Sequence, residues 1–219
     1  MVATIRSAFP DDSFFSDFDT TISVVQSKLN CYRFYEKTLS SLDAHNWSAL
    51  KSKSVAQFSA TRHGQTKESF FNTLNEAFAL EILIDAGAER ANFLKEGTSK
   101  TPDIAYVKDG RQLYCEVKTI GISDAEIQRR SGGFVYDGLP YAELNLGFFN
   151  KLDYDIRRAT DQLRSVRGDG LVVVFVRFDD IACDYLSTYH SQLVKFCNER
   201  GTTNLIIESL HPTSRRKLF

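Results

Sequence analysis

Residues 101–120 read TPDIAYVKDGRQLYCEVKTI, and this stretch decides the fold. Asp109-Gly110 stands between two runs with strand character, Pro102 to Lys108 and Arg111 to Thr119. A two-residue type I′ turn needs positive φ at both central positions, which Asp-Gly tolerates, so the segment reads as a tight β-hairpin. With those two loop residues, opposed positions carry numbers that sum to 219, and Asp103 faces Glu116. Opposed residues share one face of the sheet with Cβ atoms roughly 4.5 to 5.5 Å apart, so the two carboxylates converge. Lys118, two residues beyond Glu116, joins the same face because side chains alternate with period two. Two acids so placed repel unless positive charge stands between them. A divalent cation is the simplest source, and a cationic side chain of the protein in that gap would remove the need for one.

Outward from the hairpin, Thr66 or Ser69 opens a strongly apolar helix that runs to about Ala86 and stops at Gly87. Arg90 to Leu94 reads as a short strand and Glu96 to Thr101 as a polar loop. Residues 121–147 hold six Gly and Pro positions and a Ser123 to Glu126 capping box, an insertion of loop character. Leu152, Ile156, Ala159, Leu163 and Val166 mark a helix face. Gly168-Asp169-Gly170 then turns into Leu171 to Phe178, a run expected to be a strand buried on both faces. A helix near Asp184 to Glu199, a strand near Asn204 to Ile207 and a basic tail, Arg215-Arg216-Lys217, complete the chain. Before the hairpin region, Phe15, Phe18, Ile22, Val25, Leu29 and Tyr32 follow helical spacing and predict one amphipathic helix whose stripe packs on the chain's own core, with a seam for a homodimer or partner protein as the alternative. A shorter helix spans Trp47 to Phe58, with a loop from Ser59 to Gln65. The division expected is a helical N-terminal extension over 1–65 and an α/β domain over 66–219.

The bulk composition suits an ordered globular chain: 219 residues, 42% hydrophobic, with 17 Phe, 9 Tyr and only 4 Pro. A net charge of -1 means that any nucleic-acid contact must come from a local basic patch. Cys31, Cys115, Cys183 and Cys197 show no metal-ligand spacing and read as reduced thiols. No apolar run is long enough for a signal or a membrane span, so a cytoplasmic location is the expectation.

Two hard oxygen ligands beside an ammonium form a minimal kit for metal-assisted phosphodiester hydrolysis, with Mg²⁺ or Mn²⁺ as the cofactor. Pro102-Asp103 followed by Glu116-Val117-Lys118 resembles the PD-(D/E)xK nuclease superfamily, the restriction-endonuclease-like fold, and its RecB-type and Holliday-junction-resolvase-like members. The order helix, three strands, helix, strand from about residue 66 to 178 is similar to that family's α-β-β-β-α-β core. The resemblance implies a metal-dependent DNA nuclease, with RNA as a further substrate to test. Asp103 and Glu116 would hold the metal, the Val117 carbonyl would add a ligand, Lys118 would serve the attacking water, and a glutamate of the preceding helix would complete the shell. That glutamate is Glu76, eleven positions before Gly87, or else Glu81, since the two point about 140° apart on the helix and only one can face the site.

On the second helix, Arg158 and Gln162 share a face, with Arg157 beside them. The family pairs such a glutamine with a tyrosine four residues later, where this chain has Val166. Arg129-Arg130 in the insertion, with Arg157, Arg158, Arg164 and Arg167, are candidates for phosphate contacts, and Phe134, Tyr136 and Tyr141 for base stacking. His63, in the loop before the core helix, is a further candidate. No phosphate-binding G-x-x-x-x-G-K-[ST] loop is present. The alternative is a nucleic-acid-binding or scaffold module that keeps the fold without cutting.

Overall fold

The computed structural model describes residues 1–60, 67–95, 101–121, 123, 127–128, 131, 141–166, 169–178, 184–211 and 213–219. Among them, seven helices and six strands follow one another. Helices α1 (Val2–Ala8), α2 (Phe18–Val24), α3 (Gln26–Ser40), α4 (Ala44–Phe58) and α5 (Glu68–Asp85) come first, with a 3₁₀ turn at Ser13–Phe15. Strands β1 (Glu89–Phe93), β2 (Ile104–Lys108) and β3 (Arg111–Ile120) follow, then α6 (Leu146–Ser165), β4 (Gly170–Arg177), α7 (Leu186–Glu199), β5 (Leu205–His211) and β6 (Ser214–Lys217).

The hairpin forms as its sequence demands. Asp109 and Gly110 take φ of 51° and 71°, and the pairing runs from Ile104 opposite Cys115 to Lys108 opposite Arg111, the register that sums to 219. The six strands form one mixed sheet in the order β1-β2-β3-β4-β5-β6, with β3, β4 and β5 parallel and the outer pairs antiparallel. Valine and phenylalanine fill β4 on both faces. Val173 and Phe175 point into one core with α5 and the N-terminal helices, while Val172, Val174 and Val176 point into a second core with α6 and α7. The molecule is therefore three layers, α1 to α5 over the sheet over α6 and α7. Helix α5 is buried nearly all round, as its apolar content requires. Ile5, Phe15, Tyr35, Leu50 and Phe58 of the first sixty residues share one cluster with Phe78, Val117 and Phe175.

Two expectations need correction. The single helix over 15–32 is broken: Val25, extended at φ -112° and ψ 93°, ends α2 and starts α3. Adjacent β-branched Val24 and Val25 are stiff at χ1 and poor helix formers, which suits a break. Phe15, Phe18 and Tyr32 pack on this chain's own core, leaving Val24 and Val25 exposed. The basic tail is instead β6, an edge strand hairpinned onto β5, with Arg215 opposite Leu210. Charged edge strands resist pairing with other chains, and a run of cations reads equally as tail or edge.

Candidate active site

At the start of β2 the backbone of Asp103 still pairs with β3, its N–H donating to the Cys115 carbonyl at 3.1 Å. Alternation along β3 puts Cys115 and Val117 in the core under α5 and sends Glu116 and Lys118 to the opposite face, whereas Asp103, just before the paired stretch, is met by Lys53 of α4. Beyond Asp103 the paired stretch of β2 ends, while β3 runs on to Ile120. The Val117 N–H, left without a strand partner on that side, donates to Asp103 Oδ2 at 2.9 Å. Its carbonyl leaves the strand toward the same side. Glu116 is buried, and Lys118 Nζ donates to its Oε1 at 2.5 Å, with the lysine side chain 26% exposed. The site thus has a buried acid and an accessible ammonium on one strand.

Helix α5 settles which glutamate is near. Glu76 faces Asp103, whereas Glu81 pairs with Arg215, which also binds Glu208 at 2.8 Å. The link between Glu76 and Asp103 is a residue that the sequence reading overlooked. Lys53 of α4 reaches Glu76 Oε1 at 2.7 Å and Asp103 Oδ1 at 2.8 Å. Its signal was present in the sequence. Lys53 lies seven residues after the buried Asn46 and three after the buried Leu50, on the inward stripe of α4, where a lysine is out of place unless it meets an acid.

A divalent cation, expected as the simplest source of positive charge, is not the source here: two lysines of the chain stand among the acids. Counted as ions, Asp103, Glu116 and Glu76 face Lys53 and Lys118, which leaves one negative charge over. Burial first, and then the Asp103 charge, push the Glu116 carboxyl up to about 7 against the pull of Lys118 and Lys53. Burial followed by Asp103 raises Glu76 well above the usual carboxylate range. Burial would lower the Lys53 ammonium, but Asp103 and Glu76 more than reverse that and hold it above its ordinary value. The buried Cys115 thiol, raised by burial and then by the three acids, is inert.

Do these residues suit a metal? Among the described residues no three His, Cys, Asp or Glu side chains stand close enough to hold one as they are placed. Yet Glu76 Oε2 and Glu116 Oε2 are buried without a hydrogen bond. A buried carboxylate oxygen with no donor is costly, so each must carry a proton or meet a cation. Asp103 also has lone pairs to spare beyond its two contacts. The donor set fits a hard divalent cation in its chemistry, and Lys53 stands on the Asp103 and Glu76 side of the place it would take.

Of the remaining candidates, Gln162 of α6 donates to the Thr101 carbonyl at 2.6 Å, two residues before Asp103, and so ties that helix to the approach of the site. Arg158 is exposed beside Tyr154, at 5.5 Å from its ring. Arg157 is paired with Asp153 at 2.9 Å, and Arg164 lies 3.6 Å from Asp161. The Tyr141 carbonyl accepts from the Tyr189 hydroxyl. His63, Arg129, Arg130, Phe134, Tyr136, Arg167, Cys183 and most of the 121–147 insertion lie outside the described residues. No protein-family model matches the chain, and neither a curated protein nor a solved structure is significantly similar to it.

Proposed function

We propose that the chain is a metal-dependent nuclease that hydrolyses phosphodiester bonds of DNA at the Asp103, Glu116 and Lys118 site. The observation that carries the reading is the meeting of a buried glutamate, an aspartate and an accessible lysine at the open start of β2, with two buried carboxylate oxygens left unpartnered. The order of α5, β1, β2, β3, α6 and β4 also agrees with the core of the PD-(D/E)xK superfamily that the motif resembles. Asp103 and Glu116 would hold Mg²⁺ or Mn²⁺, with the Val117 carbonyl and Glu76 completing the set. When bound, such an ion polarises the phosphate and lowers the pKa of its water. Lys118, on an accessible stem, orients the attacking water and balances charge that develops on the phosphate oxygens. Gln162, through the Thr101 carbonyl, ties α6 to the segment that leads into Asp103.

The test is to incubate the protein with linear, supercoiled, single-stranded and branched DNA and with RNA, each in Mg²⁺, Mn²⁺ or EDTA. Cleavage of a DNA substrate that EDTA abolishes supports the reading, and cleavage of RNA alone changes the substrate. One observation favours a second reading, a nucleic-acid-binding scaffold: Lys53 and Lys118 already neutralise much of the acidic charge. Tight DNA binding with no cleavage in any metal would select it.

A further inference from the structure

The position between Asp103 and Glu76 is filled from within the chain. Lys53 Nζ lies within 2.8 Å of Asp103 Oδ1 and 2.7 Å of Glu76 Oε1, and its side chain is 16% exposed. We propose that Lys53 is a built-in counter-ion of the acidic site, holding the place of a divalent cation and competing with it for Asp103 and Glu76. The inference rests on the metal-dependent reading above and specifies how that site is loaded.

Three features support it. The base of Lys53 is fixed: on the same face of α4, Asn46 accepts from the Phe93 N–H at 3.0 Å and donates to the Ala91 carbonyl at 3.0 Å, which clamps the helix to β1. Its tip is held by ion pairs and not by the helix, and because a lysine carries a compact charge on a flexible four-carbon stem it can withdraw without moving its helix. Asp103, for its part, keeps a second anchor in the Val117 N–H and so stays in place when the ammonium leaves. An ammonium and a divalent cation repel each other, so both cannot sit at hydrogen-bond range of the same two oxygens at low cost. Binding of one therefore weakens the other to the same degree. The lysine also explains how buried Glu76 can sit beside half-buried Asp103 before any ion arrives: breaking a buried charge pair by removing one partner is strongly destabilising.

The experiment compares Mn²⁺ binding by calorimetry in the wild type, Lys53→Met and Glu116→Gln, together with reductive methylation of Lys53 followed by mass spectrometry in the wild type. The expected results are Mn²⁺ affinity about tenfold or more higher in Lys53→Met, and methylation of Lys53 that is slow in EDTA and faster at saturating Mn²⁺. Mn²⁺ binding to the wild type that Lys53→Met leaves no tighter overturns the inference while the metal-dependent reading stands. Should Lys53→Met not fold, labelling decides, and Lys53 equally protected with and without saturating Mn²⁺ overturns it. If the wild type shows no Mn²⁺ binding that Glu116→Gln abolishes, the functional reading falls and the inference falls with it.

Discussion

A carboxylate with a side chain 2% exposed keeps its charge only beside a cation, and Glu116 has Lys118 on one oxygen and nothing on the other. Its folded pKa of about 7 lies above the ordinary 4.5, so between those values the folded state holds more protons than the unfolded one. Metal-free stability attributable to this group therefore falls as pH rises through that window. Melting temperatures in EDTA at pH 5 and pH 7.5 should differ less in Glu116→Gln than in the wild type. An equal difference would mean that Glu116 titrates normally. Lys118→Ala is expected to lower the cleavage rate by about 10² to 10⁴, as loss of a positioned proton-handling group does, and to lower the melting temperature as well, because the buried Glu116 loses its cation. The hairpin register was readable because a two-residue turn fixes it arithmetically, although the pairing stops at Ile104, one residue short of Asp103. Lys53 was harder to read, since its partners lie 23 and 50 positions away and only its place on the inward stripe of α4 marks it.

At the scale of the element, the hairpin and β4 were legible because their signals are local: a turn dipeptide, and a run of Val and Phe with no polar face. Gly170 shows what the run alone does not say. A Cβ there would meet the Tyr114 carbonyl oxygen at 2.2 Å and the Leu163 side chain at 3.1 Å, where β4 enters beside β3 under α6. Gly170→Ala should force these apart and destabilise the fold by about 1–3 kcal/mol, read as a fall in denaturation midpoint with an unchanged slope. Gln162→Ala tests the tie between α6 and the site. Losing the Thr101 contact should lower kcat up to about 10²-fold through misplacement of Asp103, with stability little affected and Mn²⁺ binding retained. The break at Val25 and the conversion of the basic tail into β6 were not legible for a physical reason. The strand β6 depends on a tertiary partner, the open edge of β5, that no local pattern announces, and the local hint of Val24-Val25 is masked by apolar residues at helical spacing on both sides of it.

For the whole molecule, the three layers place the open start of β2 where side chains of α4, α5 and β3 can meet, so the site draws on both halves of the chain. No helix among the described residues is long and apolar enough to cross a membrane. A net charge of -1 offers no general attraction for DNA, so the proposed function requires any affinity to come from local cations. Arg158, exposed beside Tyr154, is the described candidate. In Ca²⁺, Arg158→Ala should weaken DNA binding by similar factors across sequences and reduce the salt slope by about 1. The most direct measurement is the rate of cleavage of an end-labelled DNA in Mg²⁺ by the wild type, Asp103→Asn and Lys118→Met, each shown by its melting curve to be folded. The account predicts cleavage by the wild type that is lost in both variants. Cleavage that persists in the two variants at the wild-type rate would contradict it.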